Sequence, residues 1–487
     1  METQILIIGA GFGGIGLAIR LQQAGRTDFL LLEKAADVGG VWRENSYPGA
    51  ACDVPSHLYS YSFEPFFDWS RTFAPQADIL RYLHRCVDKY ELRPRIHNGK
   101  EVANAQFDRA SARWEVECTD GSRYRCRVLV AATGQLCRPL MPSLPGLDQF
   151  QGELFHSARW RHDLDLTGKS VAVIGTGASA IQFVPTVAQQ AGRLTLFQRS
   201  PPYVLPKPER LYTGIWGRLF RALPWLVLLH RLWIYTALEY RQPVLRGFRP
   251  WIMLVERMFR QHLEEQVADP QLRARLTPDY PLGCKRLLIS DDYYPALQRP
   301  NVTLVNDAVA RLEPNAIVSA SGQRFDVDCV ILGTGFDTTH FLAPMRITGL
   351  NGQTLAESWR DGAEAYLGLT VHGFPNLFVL YGPNTNLGHN SIVYMLESQF
   401  NYVLSALDVL DQHGRSAIAL NVRAEVQQTF NQELQRQLAG SVWAGGCSSW
   451  YVDAKGHNAN NWPGFTFRYR SLTRQLQPVD YEWILGG

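Results

Sequence analysis

The chain of 487 residues has no Cys-x-x-Cys pair; its eight cysteines, at 52, 86, 118, 126, 137, 284, 329 and 447, are scattered singly. That excludes the common redox and zinc spacings, and the low density excludes a secreted disulfide scaffold, so free thiols in a reducing cytoplasm are expected. Neither charge sign dominates: 48 Lys and Arg against 45 Asp and Glu leave +3, too little to indicate a nucleic-acid partner. No low-complexity tract interrupts a composition that is 46% hydrophobic and 19% charged, which excludes wholesale disorder and a fibrous role. Long apolar runs are missing too. The most apolar region, 215–240, is cut by Arg218, Arg221, Arg231 and Glu239, and its longest uncharged stretch, 222–230, falls far short of the roughly 20 residues of a membrane span. Its Trp, Leu and Arg mixture leaves contact with a membrane surface open, but a buried helix of an inserted subdomain is the simpler reading. No basic stretch or small-residue cleavage site precedes Ile5, so a cleaved secretory signal is not expected.

What is present is glycine in a particular setting. The apolar run Ile5-Leu6-Ile7-Ile8 leads into Gly9-Ala10-Gly11-Phe12-Gly13-Gly14, then a helix-like stretch to Gly25, a second apolar run from Phe29 to Leu32, and Glu33. This is G-x-G-x-x-G in its strand, turn and helix context. Gly9 permits the tight turn, Gly11 lets a pyrophosphate approach the backbone, and Gly14 lets helix and strand pack closely, with the phosphates at the positive end of the helix. Glu33 supplies the carboxylate that accepts hydrogen bonds from a ribose diol. A second copy follows Ser170-Val171-Ala172-Val173-Ile174 as Gly175-Thr176-Gly177-Ala178-Ser179-Ala180, with Ala180 in the permitted third position. Counted from the first glycine, Arg199 fills the slot that Glu33 holds in the first copy. A guanidinium there binds a ribose 2′-phosphate that a carboxylate would repel, so the second site selects NADPH over NADH.

Two such sites point to a flavoprotein, with FAD in the first, NADPH in the second and hydride passing between them. The apolar runs ending in Gly134 and Gly335 are expected to mark crossings between the two domains. A disulfide reductase would need a cysteine pair beside the flavin, and Cys52 stands alone there. A monooxygenase, or an oxidase that wastes NADPH, remains.

Between the two sites runs Phe150-Gln151-Gly152-Glu153-Leu154-Phe155-His156-Ser157-Ala158-Arg159-Trp160. With Phe150, Gly152, His156 and Trp160 in place, it resembles the F-x-G-x-x-x-H-x-x-x-W pattern of type I Baeyer–Villiger monooxygenases, within the class B flavoprotein monooxygenases. The likeness extends over nearly the whole chain, through Gly39-Gly40-Val41-Trp42, Tyr47 to Asp53, Tyr59 to Phe63, Gly283-Cys284-Lys285-Arg286, Gly333 to Asp337, and Ser449-Trp450-Tyr451. Two positions depart from it: Arg161 stands where the family usually has Pro or Asp, and Ala51 where many members carry Arg.

The resemblance implies that reduced flavin takes up O2 as a C4a-peroxyflavin, which inserts one oxygen beside a ketone carbonyl to give an ester or lactone. It implies Arg286 as the cation beside the developing anion and Asp53 as the carboxylate that orients it. It further implies Gly40, Val41, Trp42, Asp53, Tyr59 and Val102 toward FAD, and Arg199, Lys285 and Arg286 toward NADPH. Trp450 falls to a mobile loop on the nicotinamide side. His156 reads as a hydrogen-bonded hinge on a linker between the nucleotide domains rather than an acid or base. It lacks partners at metal-ligand spacing, and no metal is expected. An N- or S-oxygenating flavin monooxygenase is the alternative within enzymes, and a flavin-binding redox sensor or interaction protein the alternative outside them.

The fold class is then α/β: two Rossmann-like dinucleotide-binding domains with a helical insertion. The expected division is an FAD domain over 1–141, an NADPH domain over 142–209, and a helical insertion over 210–282 broken by Pro224, Pro243 and Pro250. The NADPH domain resumes over 283–337, and an FAD-domain return with a C-terminal lid region covers 338–487. Aromatic and aliphatic residues in 203–282 favour an apolar pocket and aliphatic ketones. The sequence leaves the oligomeric state open.

Overall fold

The computed structural model describes residues 1–212, 214–413, 418–447, 451–452 and 455–486. Two parallel-based sheets organise it. In the first, of eight strands, Glu2–Ile8 lies between Phe29–Glu33 and Arg123–Ala131, all three parallel. Their apolar runs are explained by this position: a strand buried on both faces has no polar side, so Ile5 to Ile8, Phe29 to Leu32 and Val128 to Ala131 are all buried. Ile7 pairs with Leu31 on one side and Val130 on the other. Strands from the far end of the chain complete this sheet, since Leu377–Val379 pairs with Arg123–Ala131 and Arg346–Thr348 with Val102–Asp108.

The second sheet is wholly parallel among the described residues, in the order Val302–Val305, Arg193–Phe197, Ser170–Ile174, Cys329–Leu332 and Glu153–His156. The two sheets repeat one local device. Gly9 N–H bonds to Leu32 O and Ala132 N–H to Ile8 O, both at 2.8 Å; Gly175 N–H bonds to Phe197 O at 3.1 Å and Gly333 N–H to Ile174 O at 2.9 Å. In each sheet the glycine turn therefore opens at the carboxyl ends of the central strands, where the strand order reverses and a crevice forms.

The helices Ile215–Ala222, Pro224–Glu239, Gln242–Leu245, Arg249–Gln266 and Pro270–Leu276 form the insertion. Prolines stand in the first turn of four of these helices, where a missing N–H costs nothing. The expectation that 215–240 is a buried helix is overturned. Pro224–Glu239 buries Val227, Ile234 and Leu238 but leaves Trp225, Leu228, Leu229, Leu232 and Trp233 more than half exposed.

The cysteine expectation is corrected in one place. Cys284 and Cys447 form a disulfide with a sequence separation of 163, which no local spacing could announce, while the other six are free thiols.

Candidate active site

The glycine loops come first because they decide whether a dinucleotide can enter. Gly9 holds φ at +104° and Gly175 at +109°, values that side chains rarely adopt. A Cβ on Gly14 would lie 1.9 Å from Gly9 O, so that glycine serves helix and strand packing. A Cβ on Gly11 would meet only Gly40 Cα at 3.5 Å, and one on Gly177 nothing within 4 Å. Both therefore leave room for a ligand at the start of a helix, Phe12–Gln23 and Ala180–Gln190 respectively, where unpaired N–H groups gather. Glu33, at the end of its strand, accepts bonds from Ala10 N at 2.9 Å and Ala35 N at 3.0 Å and lies 3.3 Å from Arg43. The residues present thus fit a dinucleotide at each loop.

Around the first loop, Gly40 takes φ +55° and begins the short helix Val41–Glu44. Trp42 donates its indole N–H to Tyr59 Oη at 3.2 Å, and burial raises the Tyr59 phenol well above its usual pKa. Val102 is buried at the start of its strand, within the core behind the sheet.

Around the second loop, Thr176 Oγ donates to Ser200 O at 3.4 Å and Lys285 Nζ donates to Ser200 Oγ at 2.7 Å. Lys285 also lies 4.3 Å from the Tyr280 ring centre. Its pKa is lowered by burial and then by the charge of Arg199, which is itself exposed. Ala178 and Ser179 complete the turn, with Ser179 as the cap of the Ala180–Gln190 helix.

The 47–53 loop joins the two sites. Tyr47 Oη donates to Gln182 Oε1 at 3.0 Å, and Gln182 Nε2 donates to Ala51 O at 3.0 Å. Gly49 has φ +79°, and a Cβ there would lie 2.4 Å from Gln182 O, so the loop rests directly on the helix of the second site. Its last residue, Asp53, accepts from Arg286 Nε at 2.9 Å and from Nη2 at 2.6 Å. Both side chains are about a third exposed. The Asp53 charge, against the opposing effect of burial, holds the guanidinium pKa above its ordinary value, so Arg286 is a permanent cation. Tyr381 and Tyr451 stand near it. Burial raises both phenols, Tyr451 to about 12, and the Arg286 charge pulls each back. Tyr381 Oη donates to Asn386 Oδ1 at 2.7 Å. Tyr451 also belongs to an apolar cluster with Leu245, Leu387 and Trp443.

Glu153–His156 is the edge strand of the second sheet, with His156 opposite Leu332, so the linker reading of these residues is corrected. Sheet pairing fixes them because each finds its backbone partners on Cys329–Leu332. His156 is buried, its Nδ1 accepts from Ala158 N at 3.1 Å, and burial lowers its pKa. The ring of Phe336 packs on it edge-on at 5.8 Å. Phe155 and Phe183 sandwich Trp160 at 5.3 and 5.4 Å. A Cβ on Gly152 would come 2.5 Å from Asp328 O and 2.6 Å from the Phe150 ring. Arg161 bonds to Asp163 and Glu153 on the surface. Trp450 lies outside the described residues. Gln182, Ser200, Tyr381 and the Cys284–Cys447 link, two residues before Arg286, escaped the sequence reading.

The chain is similar to known proteins in sequence and in fold. The family described as pyridine nucleotide-disulphide oxidoreductase matches residues 6–207. A protein of Pseudomonas aeruginosa named Baeyer-Villiger monooxygenase is 47% identical over 485 residues, covering 99% of this chain and 91% of its own. Among solved structures, an oxidized steroid monooxygenase bound to NADP superposes with a TM-score of 0.88 at 30% identity, covering 100% of both chains. The OTEMO complex with FAD and NADP gives 0.87 at 27% identity, covering 99% of each.

Proposed function

Because the chain belongs to the Baeyer–Villiger monooxygenase family, we propose that the Arg286–Asp53 pair is its oxygen-insertion site and that its substrates are apolar, aliphatic ketones. The enzyme is an FAD-dependent oxidoreductase that uses NADPH and O2. One oxygen atom enters between the ketone carbonyl carbon and its neighbour, giving an ester or lactone, and the other leaves as water.

Bound FAD, reduced by NADPH, supplies the activated oxygen; the chain supplies positions and charge. The Gly9–Gly14 turn and Glu33 would hold the FAD pyrophosphate and ribose, with Gly40, Val41, Trp42 and Tyr59 alongside and Val102 supporting from the core. The Gly175–Ala180 turn, Arg199 and Lys285 would hold NADPH, the two cations matching the charge of its 2′-phosphate. Arg286 faces the negative charge that develops on the ketone oxygen. A guanidinium already fixed by Asp53 need not reorganise when that charge appears. Tyr381, Tyr451 and, through Tyr451, the Leu245, Leu387 and Trp443 cluster line one side of the pair with rings and apolar side chains, which lowers the local dielectric there and strengthens the cation's effect. The same apolar cluster supports an aliphatic rather than a polar ketone. His156, held on the edge strand of the second sheet with the Phe336 ring against it, couples NADPH binding to the flavin side.

The observation that carries this reading is the two-bond Arg286–Asp53 contact beside a loop seated on the NADPH-side helix. A panel of linear, cyclic and aryl ketones tests it. The expected result is a rise in NADPH oxidation with linear ketones, matched mole for mole by ester. Consumption matched by hydrogen peroxide, or oxygenation of amines and sulfides alone, overturns it.

A further inference from the structure

We propose that the outer face of the 215–240 helical hairpin is a docking surface for an anionic lipid bilayer, lying in the plane of its headgroup region. The proposal stands on the surface itself and not on the choice of ketone.

The hairpin consists of Ile215–Ala222 and Pro224–Glu239, turned at Leu223 because Pro224 cannot continue the first helix. Its inner side is firmly seated. Ile234 and Leu238 pack on Leu58, and Arg231 donates to His57 O and Ser60 O, both at 2.8 Å. Tyr235 Oη meets Thr466 Oγ1 at 3.1 Å, and the Glu239 carboxylate bonds to Thr466 and to Asn390. A helix held this way does not need its other side for folding.

Yet the other side is apolar. Trp225, Leu228, Leu229, Leu232 and Trp233 follow the spacing of a single helical face and are 53% to 66% exposed. Ile215 and Trp216 on the partner helix are 69% and 59% exposed. The rings of Trp216, Phe220, His230 and Trp233 run in succession, with centres 6.5, 5.6 and 5.9 Å apart, so the two helices contribute to one surface. An exposed apolar patch of this kind marks an interaction site.

Charge selects the occupant. From 211 to 255 the charged residues are Arg218, Arg221, Arg231, Arg241, Arg246 and Arg249, with Glu239 as the one acid. Glu239 is buried, and Arg218, Arg221, Arg246 and Arg249 are exposed, whereas Arg241 interacts with the charge of Asp53 and burial lowers its pKa. A face of Trp and Leu bordered by arginine, with Asp68 beside Arg221 at 3.4 Å as an exposed carboxylate at its edge, still carries a cationic excess and matches a bilayer, whose anionic headgroups lie just above its hydrocarbon. Pairing with a second copy about a two-fold axis would instead bring two arginine-bordered rims together with few carboxylates to meet them. Among the described residues no helix is long and apolar enough to cross a membrane, so the hairpin lies on the bilayer rather than spanning it.

The test uses the full-length flavin-loaded protein and phosphatidylcholine vesicles with and without phosphatidylglycerol. The wild type is expected to float with the anionic vesicles, to be released by high salt, and to show a blue shift of tryptophan emission on binding. The Trp225→Glu, Trp233→Glu double variant should lose at least about tenfold in vesicle partition while keeping its flavin and its turnover of a water-soluble ketone. Arg218→Glu with Arg221→Glu should abolish the preference for anionic lipid. Wild type that floats with neither vesicle, or a double variant that floats like wild type, overturns the proposal. So does a wild-type dimer that the double variant splits in sedimentation velocity without any flotation.

Discussion

Arg286 spends two donors, Nε and Nη2, on the single oxygen Oδ2 of Asp53, at 2.9 and 2.6 Å. The contact fixes the plane of the guanidinium from one edge and leaves the group as a preset cation in a largely apolar surround. Removing one preorganised charged donor typically costs about 10²–10³ in rate. Arg286→Ala is therefore expected to lose ester formation by at least that factor while FAD and NADPH still bind. Arg286→Lys should recover little, because an ammonium lacks the planar fork. Asp53→Ala should impair the same step more mildly by releasing the arginine. Product analysis beside equilibrium binding measures both quantities; normal ester yield from Arg286→Ala would remove the residue from the chemistry.

The glycines divide by what a methyl group would meet. At Gly14 it would collide with Gly9 O, whereas at Gly11 and Gly177 it finds room. Gly14→Ala should thus destabilise the fold by about 1–3 kcal/mol, the range for overpacking a closed site. Gly11→Ala should fold normally but purify with little flavin, and Gly177→Ala should keep its flavin and bind NADPH weakly. Absorbance of the bound flavin and thermal melting separate the three; full flavin retention in Gly11→Ala would contradict the cradle.

These glycines also mark how far the sequence was legible. Strand, turn, helix and acid lie within one local stretch, so their roles follow from order alone. Arg286 and Asp53 are 233 residues apart, and only the family resemblance joined them. Gln182, Ser200 and Tyr381 are ordinary polar residues of a helix, a turn and a strand end, and nothing in their neighbours signals a role. The disulfide partners meet across 163 residues without a spacing signature. The Pro224–Glu239 helix has apolar residues on every side and only His230, Arg231, Thr236 and Glu239 among them as strongly polar ones, so periodicity could not say which face the core would take. His156 was found as a motif residue, but its pairing with Leu332 depends on a strand from the far side of the second glycine loop.

Lys285 and Arg199 are like charges held close enough for one to depress the pKa of the other. Such crowding is relieved when an anion sits between them, as the 2′-phosphate of NADPH would. A charged hydrogen bond contributes about 1.5–3 kcal/mol, so Arg199→Ala and Lys285→Ala should each raise KM for NADPH by about 10- to 100-fold. KM for NADH should barely move. Initial-rate kinetics with both coenzymes check the point, and equal effects on the two would sink the assignment.

Acid should weaken the fold through His57. Burial, the neighbouring His230 and the charge of Arg231 lower its pKa from 6.5 to about 3, and its Nδ1 lies 2.8 Å from Nδ1 of His230. A histidine kept neutral in the folded state but free to protonate when unfolded makes the unfolded chain bind more protons between those two values. Stability from this group is therefore complete above about pH 6.5 and is lost as the pH falls toward 3, by up to about 1.4 kcal/mol per unit. His230 and His156 are depressed by burial as well and act in the same direction. His57→Gln removes the largest of these responses while retaining a hydrogen-bonding side chain. Its unfolding midpoint should be lower than wild type near neutrality and decline less steeply on acidification, so that the two curves converge. Parallel curves across that range would show that His57 does not carry the acid sensitivity.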